Sequence, residues 1–305
     1  MMLNLKSTLL GLLGASAVLG SALPPGSSNE VKSALVERAN PSPGCGKNPF
    51  GSGVRNINVN GKNRQFIVRV PNNYDRNRHY KLIFAFHWVG GTMNDISSGG
   101  SDRELWSYYG LQRQAGESAI LVAPQGLNNG WGNSNGEDVN FVDAMIKDIE
   151  SNLCVDQRQR FSLGFSYGGA MTYAVACARA KDFRAVAVLG GGQLSGCSGG
   201  NDPVAYLGIH GLTDGTLNIG GGKSMRDRFV RNNGCQNTNA PDPGRGSGRH
   251  VTTVFQGCRP GFPVTWISFD GGHGPAPVDG GGDSGARSYV PGEIWSFFTQ
   301  AQLQS

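Results

Sequence analysis

A three-layer α/β domain around a mostly parallel sheet is the fold class this sequence predicts, and three observations predict it. Short apolar runs without alternation, such as Leu82-Ile83-Phe84-Ala85-Phe86, read as strands covered on both faces. Stretches with apolar residues at helical spacing alternate with those runs. The connections are short and rich in glycine, of which the 305 residues hold 48. A chain of this length and ordinary hydrophobic content buries one full core, so a single domain is expected.

In chain order, Lys6, the apolar stretch Leu9 to Leu19 and the small residues Gly20-Ser21-Ala22 predict a signal peptide over 1–22. The stretch is too short and Gly-rich for a membrane span, so an exported, extracellular protein without a membrane partner is expected. Residues 23–43 are rich in Pro, Ser, Glu and Asn without an apolar face, which predicts a propeptide or flexible leader. The folded catalytic body is expected over 44–305.

Strands are predicted at Arg64 to Val70, ended by Pro71, at Lys81 to Phe86 and at Ala119 to Ala123. From Asp138, the residues Val142, Met145, Ile146, Ile149 and Leu153 recur at helical spacing, with Asp138 placed to cap the N-terminus. Further strands are expected at Arg160 to Leu163, Ala185 to Leu189, Val204 to Ile209 and Val264 to Phe269. Helices are expected at Gly168 to Arg179, at Ser224 to Arg231 and after Pro291. Gly234 to Gly261, bracketed by Cys235 and Cys258, reads as a surface excursion pinned by a disulfide.

The formal net charge of +5 comes from scattered Lys and Arg, which argues against a nucleic-acid partner. Six cysteines in an exported chain, none in a C-x-x-C or Cys/His ligand pattern, predict three disulfides rather than a metal site. The sequence itself leaves their pairing open.

Gly164-Phe165-Ser166-Tyr167-Gly168 matches G-x-S-x-G between a predicted strand and a predicted helix. A sharp strand-to-helix turn strains the serine backbone and leaves no space for side chains two residues to either side, which Gly164 and Gly168 accommodate. A serine hydroxyl needs a base within hydrogen-bond reach, held in turn by a carboxylate. His273, just beyond the last predicted strand, is the candidate base, and Asp214, in the loop after the penultimate strand, the candidate acid; Asp270 and Asp202 are weaker ones. The order Ser, Asp, His is the order this fold uses. His210 is the rival base, but it precedes the acid and reads as structural, as His87 does in its turn.

Two backbone N–H groups must face the developing oxyanion. Tyr167, directly after the serine, supplies one; for the other the loop His87-Trp88-Val89-Gly90-Gly91 offers Val89, with Trp88 as the alternative. Gly220-Gly221-Gly222-Lys223-Ser224 imitates a phosphate loop, but Leu217 replaces its first glycine. No H-E-x-x-H or EF-hand pattern occurs, and neither a cofactor nor a metal is expected.

With these residues placed, the chain from about Cys45 onward resembles fungal feruloyl esterases of carbohydrate esterase family one, close to type D, within the α/β-hydrolase superfamily. The marks are His87-Trp88-Val89-Gly90-Gly91, Gly164-Phe165-Ser166-Tyr167-Gly168-Gly169, Gly208-Ile209-His210-Gly211 with Asp214, and Gly271-Gly272-His273. The resemblance implies a nucleophile at Ser166, an acid at Asp214 and a base at His273. It also implies pairing of Cys45 with Cys154, Cys177 with Cys197 and Cys235 with Cys258. Feruloylated arabinoxylan or pectin fragments are the implied substrates, taken by a monomer. An aromatic acid needs an apolar slot beside the nucleophile, for which Trp88 and Trp131 are the candidates. The alternatives are an acetyl xylan esterase or polyester depolymerase with the same triad, and an inactive polysaccharide-binding protein.

Overall fold

The computed structural model describes residues 39–300, so the expected signal peptide and most of the expected leader lie outside the described residues. Nine strands form one sheet: β1 (Gly53–Val59), β2 (Lys62–Arg69), β3 (Tyr80–Phe86), β4 (Ala119–Pro124), β5 (Val155–Phe165), β6 (Ala185–Leu189), β7 (Ala205–Gly211), β8 (His250–Val254) and β9 (Val264–Phe269). Their spatial order is β1-β2-β4-β3-β5-β6-β7-β9-β8, with the six from β4 to β9 parallel and β1, β2 and β8 antiparallel to their neighbours. The fold is the α/β-hydrolase type.

Among the described residues, six α-helices accompany the sheet: α1 (Met93–Ser98), α2 (Leu111–Ala115), α3 (Glu137–Asn152), α4 (Tyr167–Ala178), α5 (Ile219–Asn232) and α6 (Val290–Gln300). Strands β4, β6, β7 and β9 are buried along their whole length, which is why they read as unbroken apolar runs. Their two faces belong to separate apolar clusters: one holds Phe84, Val122, Val186 and Trp266, the other Ile83, Leu121, Ala187 and Ile267.

Three expectations are corrected. Asn40 and Ser42, inside the expected leader, are tied to the start of β5: the Asn40 amide donates to Asp156 Oδ1 at 3.0 Å and the Ser42 amide to the Val155 carbonyl at 2.9 Å. Residues 40–43 therefore belong to the folded body. Asp138 is not the cap of α3: Asn133, in the left-handed region at φ 50°, accepts from the Asp138 and Val139 amides at 3.1 Å each. The Gly234 to Gly261 excursion contains the edge strand β8, paired along β9.

Asp138 instead takes part in a buried ion pair, 2.7 Å from Arg64 Nη2, with both side chains 2% exposed. Burial raises the Asp138 pKa while Arg64 opposes that shift. Removing one partner of such a pair leaves an uncompensated charge in the interior, so Arg64→Ala is expected to destabilise the fold by about 3–5 kcal/mol. Urea unfolding followed by circular dichroism measures this; a change below 1 kcal/mol (on the scale of about 0–1 for surface pairs) would contradict it.

The three disulfides join Cys45 to Cys154, Cys177 to Cys197 and Cys235 to Cys258. The first closes a separation of 109 residues and fixes the N-terminal segment to the end of α3. The false phosphate loop lies inside α5, where Asn218 caps the helix by accepting from the Gly220 amide. One of its glycines has a packing cause: a Cβ at Gly222 would overlap the His210 ring, so the helix approaches β7 only without one.

Candidate active site

Strand β5 ends at Phe165 and α4 starts at Tyr167, so Ser166 alone makes the turn, at φ 56° and ψ −117°. That backbone lies outside the usual regions for an L-residue and holds the hydroxyl up at the carboxyl edge of the sheet. The turn is tight enough to dictate its flanks. A Cβ at Gly164 would overlap the Gly168 carbonyl group, and one at Gly168 would overlap the carbonyl oxygen of Phe86. Gly168→Ala must push α4 away from β3 and move the His87 to Gly91 loop with it. Overpacking of this kind costs about 1–3 kcal/mol. A displaced nucleophile lowers kcat by on the order of a hundredfold. A thermal melt and kcat on one purified variant check both effects.

Ser166 lies 2.9 Å from His273 Nε2, and His273 Nδ1 lies 2.7 Å from Asp214 Oδ2. The three come from the ends of β5, β9 and β7, between 48 and 107 residues apart in the chain. Asp214 is held from behind: its Oδ1 accepts from the amides of Thr216 at 2.9 Å and Leu217 at 2.8 Å. With a carboxylate at Nδ1, the imidazole carries its proton there and presents a bare Nε2 to the serine hydroxyl. The arrangement can take a proton from Ser166 and return it to a leaving group.

His210 touches the same carboxylate. Its Nε2 lies 2.7 Å from the Leu217 carbonyl oxygen and 3.3 Å from Asp214 Oδ2. A carbonyl only accepts, so Nε2 carries the proton. Burial lowers the His210 pKa, which keeps the ring neutral and leaves the charge of Asp214 to His273. This contact has no sequence signal, because nothing in the spacing of a strand-end histidine and a loop aspartate says that one turn brings them together.

His87 is fully used by its surroundings. Its Nδ1–H donates to the Trp88 carbonyl at 2.7 Å, its Nε2 accepts from the Gly126 amide at 3.0 Å, and burial lowers its pKa. It shapes the turn that carries Trp88 and Val89. The Gly90 amide donates to Asn129 at 2.8 Å, tying that turn to the next loop. Val89 is 62% exposed, and the Tyr167 amide is the first of α4, where no helical acceptor exists for it.

Trp88 is half-buried and packs against Gly91. Trp131 does not line a cleft, which corrects the sequence expectation. It is fully buried, edge-on to Phe86 with centroids 5.1 Å apart, and its indole N–H donates to the His87 carbonyl at 2.7 Å. An indole so placed supports the turn from beneath. Tyr109 is a second support that the sequence did not disclose: its hydroxyl donates to the Phe86 carbonyl at 2.8 Å and accepts from the Phe165 amide at 3.3 Å, joining the ends of β3 and β5. Among the described residues, Cys45, His79 and Cys154 form the one cluster with metal-ligand atoms close together, and its two sulfurs are bonded to each other.

A strained serine between strand and helix, with its histidine and carboxylate delivered by later loops of a mostly parallel sheet, places the chain in the α/β-hydrolase class. No family model matches the chain. Among curated proteins it is similar to feruloyl esterase C of Emericella nidulans, 50% identical over 85% of this chain and 92% of the relative. Feruloyl esterase D of Neurospora crassa is 46% identical over 87% of this chain and 92% of its own length. Likeness at that level over nearly the full length shows that the chain belongs to the fungal feruloyl esterase family and is a carboxylic ester hydrolase. An acetyl xylan esterase from Aspergillus awamori shares the fold, with a TM-score of 0.53 at 17% identity over 80% of this chain and 99% of that one.

Proposed function

We propose that the protein hydrolyses feruloyl esters of plant cell-wall polysaccharide by two-step acyl transfer through Ser166. His273 takes the hydroxyl proton as Ser166 attacks the ester carbonyl, then gives it to the departing sugar alcohol. Water enters by the same route in reverse and releases the hydroxycinnamate. Asp214 holds the imidazolium that forms in each half of the reaction. The Tyr167 and Val89 amides receive the oxyanion. Trp88 is the apolar wall beside the aromatic acid, with Trp131 supporting it from the core.

The observation that carries this reading is the continuous hydrogen-bonded path from Ser166 through His273 to Asp214. Feruloylated arabinoxylan or pectin fragments are the substrates, met outside the cell by a monomer. Three disulfides favour an oxidising compartment, and no helix among the described residues is long and apolar enough to cross a membrane.

The test compares methyl ferulate with a short acetyl ester and adds labelling by a serine-directed phosphonate. Faster turnover of methyl ferulate, with labelling lost in Ser166→Ala, is expected. Preference for the acetyl ester assigns the pocket to another acyl group; an unlabelled wild type sinks the enzyme reading.

A further inference from the structure

The reaction places a demand on the far side of His273. Its Nε2, 2.9 Å from the serine oxygen, must also come within hydrogen-bond reach of the leaving oxygen. The alcohol half of the ester therefore extends along the histidine's side of the site, away from the acyl group. A cavity of about 250 Å³ has His273 in its wall.

Its lining differs in chemistry from an acyl slot. Phe269 and Tyr289 contribute rings, while Arg249, Asp270, Asp279 and Asp283 contribute charged groups. Asp279 gives one oxygen to His250 Nδ1 at 2.7 Å, and Asp283 gives Oδ2 to the Ala276 amide at 2.9 Å, which leaves each carboxylate a second oxygen to accept with. Arg249 is exposed and makes no ion pair among the described residues. Flat apolar surface with acceptors and a multiple donor around it suits a ring that has a C–H face and a rim of hydroxyls. The carboxylates disfavour an anionic ring. The volume falls below the roughly 300–1,000 Å³ of sites for drug-sized molecules, which fits one ring.

We infer that this cavity is the subsite for the neutral sugar residue that bears the ester. The inference rests on the feruloyl esterase reading above and adds where the leaving alcohol binds. Arg249 and Asp279 are binding residues for its hydroxyls, outside the acyl-transfer machinery.

The experiment measures kcat and KM of wild type, Arg249→Ala and Asp279→Asn on methyl ferulate and on a feruloylated arabinosyl xylo-oligosaccharide. Methyl ferulate has no sugar, so its rates report the acyl half and the integrity of the fold. Expected is a rise in KM on the oligosaccharide ester of about fivefold to tenfold for Arg249→Ala and about threefold for Asp279→Asn, with methyl ferulate parameters within about twofold of wild type. Equal losses on both esters, or no loss on either, overturn the subsite. A wild type that fails on methyl ferulate overturns the feruloyl esterase reading instead, so the two failures are distinguishable.

Discussion

Ser166→Ala is expected to lower kcat on methyl ferulate by on the order of 10⁴–10⁶-fold, the range found when the nucleophile of a serine hydrolase is removed. The loss falls on kcat because Oγ forms a bond only in the reaction, while the acyl pocket and oxyanion donors remain. Stability should scarcely change. Alanine inherits the same strained φ of 56°, and the Oγ to His273 contact it gives up lies at a half-open site. One hydrogen bond is worth about 0.5–1.5 kcal/mol. A stopped assay for released ferulate reads the first effect and a thermal melt the second. A variant keeping more than about a hundredth of wild-type kcat would move the nucleophile elsewhere.

What the sequence disclosed and what it hid follow from where each residue's partners lie. Strands β6 and β9 were legible to the residue, because burial on both faces leaves only apolar side chains to read. Strands β1 and β8 were not. Both are edges with one neighbour, half exposed, and their segments Gly-Val-Arg-Asn-Ile-Asn-Val and His-Val-Thr-Thr-Val carry no continuous run. Helices α1 and α2, six and five residues long, end before a 3.6-residue period can repeat.

The site divides in the same way. Ser166 was legible because its turn excludes side chains at Gly164 and Gly168, a steric demand written directly in the sequence. Trp131 departs from its sequence reading because an aromatic in a Gly- and Asn-rich loop looks like surface. Its burial is set by long-range partners: the Phe86 ring, the His87 carbonyl 44 residues earlier and the Ser195 hydroxyl 64 residues later. Asp138 reads as a helix cap, but Arg64, 74 residues away, takes its carboxylate, and Asn133 accepts from the first amides of α3 instead. In each case the local signal was sound, and a tertiary partner with no sequence signature decided the outcome.

Asp214→Asn is expected to cost about 10⁴ in kcat, and the surroundings of the carboxylate say why the amide cannot evade it. Asp214 Oδ1 faces two N–H donors, from Thr216 and Leu217, so the oxygen of an asparagine must stay there. The NH₂ group is then forced to the Oδ2 position, opposite His273 Nδ1 and the Nε2–H of His210. Against an NH₂ donor, His273 Nδ1 becomes an acceptor and the ring proton moves to Nε2. That nitrogen can no longer take the proton of Ser166. His210 adds to the penalty, since its own N–H now meets another donor, although its stronger bond to the Leu217 carbonyl holds it in place. The fold should survive while the rate falls. Crystallography of the variant should show the loop from Gly211 to Leu217 unchanged. The pH profile should show the residual rate rising toward alkaline pH, where hydroxide replaces the lost base. If Asp214→Asn keeps more than about a tenth of wild-type kcat, the proton on His273 is not set by this carboxylate.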